Sequence, residues 1–412
     1  VIWPVAIVGA GAAGSALALG LGGEVALLDD GRPRPGAAES LPPGLRTTLA
    51  ALGVAAALDA HPPSHGALAA WGSAEAHHHP FLLHPEGRGW RVDRPRFDAD
   101  LRAAAVAAGA TLHPGLADLA RADHGWRLTL RDGRPLDARI VVDATGRRAR
   151  VARAVGATVL QHDRAVAHVT SWSTPEPDPT SLVEATPWGW WYSAGDAGRV
   201  TAFALRDADL PGPADLTRPD PAEAPLTADR LRGGAPGPTS TVAAHHQHLA
   251  AALGDGWLAI GDAALAPDPL SSQGLAHALR GAGPAAAAVR ALLAGQPAAA
   301  WQARHDQLLA THARVRRALH RAEPRWPDAP WWRRRRSEVT LHPLQDLVVT
   351  GVRRRALYVA PSVAADLLRR CEAPTPAIQL VRGLLADHPT VLPDALVGAV
   401  QDLLARGALR AA

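Results

Sequence analysis

Apolar and polar positions divide the chain into segments of different period. Val5–Val8, Val25–Leu28, Ile140–Val142 and Trp257–Ile260 are short, nearly continuous apolar runs, each followed at once by glycine or aspartate. Runs too short for a helix and bounded by such residues predict strands buried on both faces. The small-residue stretch Ser15-Ala16-Leu17-Ala18-Leu19 predicts a helix after the first of them, and residues 99–108 predict another with Asp98 as its cap. From Trp188 to Ala204 the period becomes two: a hairpin is expected, with Gly195–Gly198 as its turn and alternation along Arg199–Ala204. The stretch 211–238, rich in Pro, Ala, Asp and Gly, predicts a long loop over that sheet, placed to act as a lid. Beyond Pro324-Arg325-Trp326-Pro327 the chain changes character. Residues 337–412 predict helices separated by Pro361, Pro374, Pro376, Pro389 and Pro393, including an amphipathic stretch from Leu396 to Leu404 that stops before Gly407. Alternation of strand and helix over 1–70, 93–160 and 250–325 predicts one discontinuous α/β domain. Residues 71–92 and 161–249 predict an antiparallel sheet domain, and 337–412 a small helical C-terminal domain.

Composition narrows the classes. With 412 residues, 47% hydrophobic and 20% charged, the chain is long enough for two to three domains and is neither disordered nor a disulfide scaffold. No uncharged apolar run of about 18 residues occurs and no basic leader precedes the first strand, so neither a membrane span nor a signal peptide is expected and a cytoplasmic location is. Cys371 is the only cysteine, which excludes an internal disulfide and cysteine-based metal sites. A net charge of +4 without a recognisable module gives no reason to expect nucleic-acid binding. Every cationic side chain other than histidine is arginine; the absence of lysine removes Schiff-base and P-loop mechanisms.

The first strand, glycine turn and helix carry Gly9, Gly11 and Gly14 in dinucleotide-fingerprint spacing, with Ala12 and Ala13 between. The first glycine makes the tight turn, the second admits a pyrophosphate to the backbone, and the third lets helix and strand pack closely. Asp29 follows Gly9 by 20 residues, where an acid accepts hydrogen bonds from a ribose, and Asp30 is the one-residue alternative. A second segment, Gly261-Asp262 followed by Asp268-Pro269-Leu270-Ser271-Ser272-Gln273-Gly274 and a helix near Leu275, lies more than 240 residues farther on. Two widely separated contact segments imply one long ligand, FAD rather than NAD.

The combination resembles the p-hydroxybenzoate hydroxylase fold of flavin monooxygenases, flavin halogenases and geranylgeranyl reductases. That resemblance implies a Rossmann-like FAD-binding domain, with Asp262 at the flavin's ribityl or phosphate region. The Pro269–Gly274 loop, including Ser272 and Gln273, would then run beside the isoalloxazine, and the Gly274 and Leu275 N–H groups would face its N1/O2 edge. It likewise places Asp143 and Gly146, from the segment Ile140 to Arg147, and Arg94, from Arg91 to Asp98, near the phosphates.

The hairpin residues Trp188, Trp190, Trp191 and Tyr192 are candidates for a substrate cavity, although only alternate strand positions face one side. Flavin halogenases have a related tryptophan-rich motif, but with Ile and Pro where this chain has Tyr192-Ser193-Ala194. Their usual chemistry needs a lysine to capture hypochlorous acid, which disfavours conventional halogenation here. The segments Glu39-Ser40-Leu41-Pro42-Pro43, Gly89 to Arg94, Gly189 to Ala194, Asp268 to Gly274 and Arg325 to Arg334 together look like those of the flavoproteins that mature quinone cofactors. That resemblance implies hydroxylation of an aromatic ring, a tryptophan of a partner polypeptide, through a flavin C4a-hydroperoxide, with NAD(P)H as transient donor. An indole is already nucleophilic, so no base need ionise it. FAD-dependent reduction, dehydrogenation or hydroxylation of a small hydrophobic or aromatic metabolite, or a non-catalytic flavin-stabilised chaperone, remain alternatives. His245 and His248 stand at helical i, i+3 spacing but without a further ligand at motif spacing, so no metal is expected. Arg333, Arg334, Arg335 and Arg336, after Trp331 and Trp332, are candidates for docking an acidic partner.

Overall fold

The computed structural model describes residues 1–412 except 33–37, 82–86, 175–179, 197, 338–345, 350–358, 360, 390, 392–395, 397–398, 401–402, 404–408 and 412. The apolar runs do form inner strands. Ile2–Val8 lies between Pro135–Asp143 and Ala26–Asp29 and runs parallel to both; Thr111–Pro114 and Trp257–Ala259 extend the parallel core outward on the two sides. The chain leaves the first strand to one side and returns on the other, which creates a crevice at the carboxyl ends of the strands. The first helix, Ala12–Leu21, packs beside that crevice. A meander of Leu116–Ala122 and Gly125–Leu130 joins the same eight-stranded sheet.

A second, seven-stranded sheet carries the tryptophan hairpin. Its order is Ala235–Ala243, Ala165–Ser173, Arg199–Asp207, Gly189–Asp196, Ser181–Thr186, Gly66–Ala70 and His77–Pro80. Pairing is antiparallel throughout except between Ser181–Thr186 and Gly66–Ala70. Gly66–Ala70 therefore belongs to this sheet, not to the first segment of the α/β domain. Gly89–Asp93 goes the other way, pairing with Ala38–Leu41 and Pro63–Ser64.

Three local expectations are corrected. The helix starts at Arg94 rather than beyond Asp98, because Asp93 is its cap and accepts the Arg96 N–H at 3.1 Å; Asp98 lies inside it. His245–His248 is not helical: Gln247–Leu249 is a strand paired with Val159–Gln161. The 211–238 stretch is no lid over the cavity. It contains the helix Pro225–Arg230 and the start of the edge strand Ala235–Ala243. That helix is held by buried Glu184, which accepts from Leu226 N, Thr227 N and Thr227 Oγ1 at 3.1, 2.7 and 2.6 Å. Leu216, Ala224 and Leu231 cover Trp172, Trp188 and Trp191 on the sheet face turned away from the cavity. Trp191 is 1% exposed there. We expect Trp191→Ala to cost about 3–5 kcal/mol in denaturant unfolding; a loss below about 1 kcal/mol would show that this face is loosely packed.

The C-terminal region is not wholly helical. Asp346–Val349 pairs with Thr375–Pro376 and Leu409–Ala411, and the helices Pro361–Arg370 and Ala377–Asp387 pack with them. The stretch Leu396–Leu404 falls partly outside the described residues, but Leu396, Ala399, Val400 and Leu403 are buried, the spacing of one helical face. Cys371 is buried in the same core.

Candidate active site

Two glycines shape one end of the cleft. Gly9 has φ +113°, and a Cβ there would stand 2.4 Å from the Ala144 carbonyl oxygen; a Cβ on Gly14 would stand 1.9 Å from that of Gly9. Glycine at both positions lets the first helix close against the first strand and the end of Pro135–Asp143. Gly11 caps that helix without any side-chain hydrogen bond, so first-turn N–H groups and the positive helix end are offered to a ligand. Gly11, Ala12 and Ala13 line a cavity of about 330 Å³ that reaches the seven-stranded sheet.

Charged groups ring the same end. Arg147 donates to Asp262 Oδ2 at 2.7 Å, and both line the cavity with Gly146. Arg94 also lines it and donates to both Glu39 oxygens at 2.9 and 3.0 Å and to Asp98 at 3.3 and 3.4 Å. The middle is walled by Pro269, Ser272, Gly274 and Leu275, with Ser272 in the left-handed region at φ +50°. An open helix N-terminus, a backbone cradle that a Cβ would fill, and flanking arginines fit a dinucleotide diphosphate.

The far end is apolar and aromatic. Tyr192 stacks on Phe203 at 4.8 Å between centroids, and Trp190 meets Phe203 edge-on at 5.4 Å; Val169, Val183 and Leu205 complete the wall. Burial, reinforced by the Glu39 charge, pushes the Tyr192 phenol above its ordinary range, so its hydroxyl stays protonated at neutral pH. Trp190 and Tyr192 share this face by strand alternation, whereas Trp188 and Trp191 face the other side. Trp188 departs from the parity of Trp190 because it precedes the strand at a turn closed by Gly189. Its indole donates to Glu223 at 2.5 Å.

Several predicted residues stand behind the cavity rather than in it. Asp29 accepts the Gly31 N–H and pairs with Arg102, and Asp30 pairs with Arg148 at 3.0 Å. Asp143 is fully buried and turned inward: Oδ1 accepts from Thr145 N and Oγ1, and Oδ2 from Ala152 N. Its burial raises the carboxyl pKa, against the pull of those hydrogen bonds. Gly261, at φ +54°, allows close approach to Ala13. Gln273 starts the Gly274–Arg280 helix without lining the cavity. Asp268 turns away from the cavity altogether: it accepts the Leu270 N–H at 3.0 Å and meets Arg316 and His320 at 2.9 Å each. Residues that sequence reasoning did not assign to the site are Glu39, Arg147, Phe203 and the aliphatic sheet positions. Glu39 and Arg147 lay inside noted segments; alternation along Arg199–Ala204 was the signal for Phe203.

Arg334 and Arg335 of the arginine tract are engaged within the chain rather than offered to a partner. Trp331, Trp332 and Arg335 are buried, and Arg335 is bound to Asp207 at 2.6 and 3.2 Å. Arg334 pairs with Asp207 and Asp209 at 2.8 Å each. Arg333 is exposed, and the Arg336 side chain lies outside the described residues. Arg334 and Arg335 thus hold the end of the helix Pro330–Ser337 to the sheet through acidic partners in the same chain.

This fold and cleft define a flavoprotein of the FAD-dependent halogenase and monooxygenase superfamily. The chain belongs to the tryptophan halogenase family, which matches residues 69–360. It is 27% identical over 292 residues to LodB of Marinomonas mediterranea, named as an FAD-dependent oxidoreductase, covering 66% of this chain and 78% of LodB. It is similar in structure to QhpG, a peptidyl tryptophan dihydroxylase essential for tryptophylquinone cofactor biogenesis: TM-score 0.67 and 25% identity over 99% of this chain and 100% of QhpG. The flavin-dependent halogenase CmlS shares the fold, with TM-score 0.69 and 19% identity over 99% and 96% of the two chains. Among the described residues no helix is long and apolar enough to cross a membrane.

Proposed function

We propose that this protein is an FAD-dependent monooxygenase that hydroxylates a tryptophan side chain of a partner polypeptide during quinone cofactor biogenesis. The observation that carries the reading is one continuous cavity, with an open helix N-terminus at one end and the Trp190–Phe203–Tyr192 wall at the other. The likeness to QhpG supports the substrate class. The absence of lysine from the 412 residues argues against the family's halogenating chemistry.

Gly11, Ala12 and Ala13 would hold the diphosphate on their N–H groups, Arg94 and Asp262 would flank it, and the Gly274–Leu275 backbone would meet the flavin ring. Bound FAD, reduced by NAD(P)H, supplies the activation of dioxygen. The chain's own part is to orient the indole against the aromatic wall and exclude water. For each hydroxylation the balance is indole C–H, NAD(P)H, a proton and O2 giving C–OH, NAD(P)+ and water.

The test is incubation of the flavin-loaded protein with NADH or NADPH, ¹⁸O2 and a tryptophan-bearing partner peptide. Labelled oxygen in the indole is expected. Flavin turnover with no label in the peptide would overturn the reading. Trp190→Ala should lower kcat/KM for the peptide by on the order of 10²-fold through lost positioning, with flavin content unchanged. An unaltered kcat/KM would remove the wall from the substrate site.

A further inference from the structure

Behind the cavity, two remote pieces of chain bring three histidines together. His162 follows the strand Val159–Gln161; His248 lies on its partner Gln247–Leu249, and His246 just precedes that partner. The pairing is closed by the His162 N–H donating to the His246 carbonyl at 2.9 Å. One ring nitrogen from each histidine falls within a group whose members lie no more than 4.8 Å apart. His246 and His248 are 4% and 5% exposed. Both ring nitrogens of His246 and Nε2 of His248 are buried without a hydrogen-bond partner. A buried polar atom without a partner is destabilising, and an ion held between the three rings would take up one of the two His246 nitrogens.

We propose that His162, His246 and His248 form a site for one first-row transition-metal ion of the zinc class, with a fourth position for water. Three imidazoles suit Zn²⁺, Cu²⁺ or Ni²⁺, whereas Ca²⁺ and Mg²⁺ require oxygen donors. His162 Nε2 and His248 Nδ1 are 2.9 Å apart and hydrogen-bonded; for both to ligate as neutral imidazoles, the donor ring moves its proton to its other nitrogen. With Zn–N bonds of about 2.0–2.1 Å, nitrogens of a tetrahedral site lie about 3.4 Å apart, so His162 and His248 must separate slightly while His246, within 4.8 Å of them, draws in. His246 makes the main adjustment. Its ring lies 4.5 Å from that of His162 at 20° to it, and it must rotate to point a lone pair between the other two.

The surrounding charges permit this. Arg316 opposes a cation, but it is bound to Asp163 at 3.2 Å and Asp268 at 2.9 Å; the Asp163 carboxylate favours one. Burial, foremost, holds all three histidines below their ordinary pKa, so they are neutral ligands at physiological pH. Ala243 and Ala244, immediately before this strand, line the cavity. The ion would therefore staple the cavity wall to the Val159–Gln161 strand. The proposal rests on this cluster and not on the hydroxylation reading.

The test uses untagged, flavin-loaded protein freed of metal with a chelator, then titrated with ZnCl2 by calorimetry and with CoCl2 by visible absorption. One ion per chain and the intense bands of four-coordinate Co²⁺ are expected, with a melting temperature that rises with Zn²⁺ concentration. His246→Ala and His162→Gln should each weaken binding by more than about 100-fold, beyond the usual effect of losing an outer-shell partner, while flavin content stays normal. The exposed His77-His78-His79 tract is the competing site, so its triple alanine variant should bind as the parent does. Absence of stoichiometric binding, or binding abolished by the surface triple variant, would overturn the proposal. Should the buried variants fail to fold, Cu²⁺ electron resonance of the His77-His78-His79 triple alanine variant decides: coupling to three nitrogens supports the buried site, and to fewer refutes it.

Discussion

Arg316→Met should destabilise the protein by about 3–5 kcal/mol, the usual consequence of leaving a buried charge without its partner. The Arg316 side chain is 4% exposed, and it stands between two carboxylates, Asp163 and Asp268, that are 2% and 7% exposed. Arg335 continues the network from Asp163, at 3.6 Å, to Asp207, and His320 meets Asp268. These side chains come from the long helix Ala299–Arg321, the helix Pro330–Ser337, the start and end of sheet strands and the loop beside the cavity. The network thus ties the arginine-rich segment to the cofactor-side loop. Asp268 also gives it a pH signature. Burial alone would raise its carboxyl pKa, but the His320 hydrogen bond and the charges of His320, Arg316 and Arg335 outweigh burial and hold it well below the ordinary range. For a depressed carboxyl, stability is present above the unfolded value of about 3.9 and is lost as pH falls through the folded value. Urea unfolding at neutral pH and at about pH 3 checks both points. A midpoint for Arg316→Met within error of the parent would show that the network is not what holds these elements together.

Legibility differed between backbone and side chains. The glycine turn was readable because its requirements are local: a positive φ at Gly9 and close helix packing at Gly14 leave no other residue type. The inner strands were readable because burial on both faces makes their apolar runs continuous. The orientation of acids at strand ends was not. Asp143 and Asp268 occupy the expected places in the chain, yet their carboxylates are consumed by Thr145 and Ala152 in one case, and by Leu270, Arg316 and His320 in the other. Most of those partners are remote in sequence or settled by one local torsion, and composition carries neither. The Arg333–Arg336 tract suggests docking of an acidic partner from sequence because Asp207, the internal partner of Arg335, lies 128 residues away. The histidine cluster escaped for the same reason: His162 is remote from His246 and His248, and only strand pairing reveals it. Trp188 shows the limit of periodicity, since the alternation that correctly groups Trp190 with Tyr192 fails one residue outside the strand.

Gly9→Ala should lower FAD affinity by about 100-fold or more. Two costs combine at this residue. The left-handed φ of +113° is strained for alanine, at about 1–3 kcal/mol, and the new Cβ would lie 2.4 Å from the Ala144 carbonyl oxygen. The obstructing atom is backbone, so no side-chain rotation relieves the clash; the turn must move away from the strand end. Gly11, Ala12 and Ala13 follow on the same turn and helix start and line the cavity, so any movement shifts the N–H groups offered to the diphosphate. At about 1.4 kcal/mol per tenfold, strain near the top of its range accounts for 100-fold before the clash is included. Gly133→Ala separates this effect from conformational strain in general: that residue also has positive φ, +84°, but lies on an exposed turn with nothing within 4 Å of the added carbon. Flavin absorbance per protein after gel filtration, with unfolding midpoints alongside, is the measurement. Gly133→Ala should retain its flavin with only a small fall in stability, while Gly9→Ala emerges folded but colourless at micromolar FAD. Full flavin content in Gly9→Ala would mean that the diphosphate is not held at this turn.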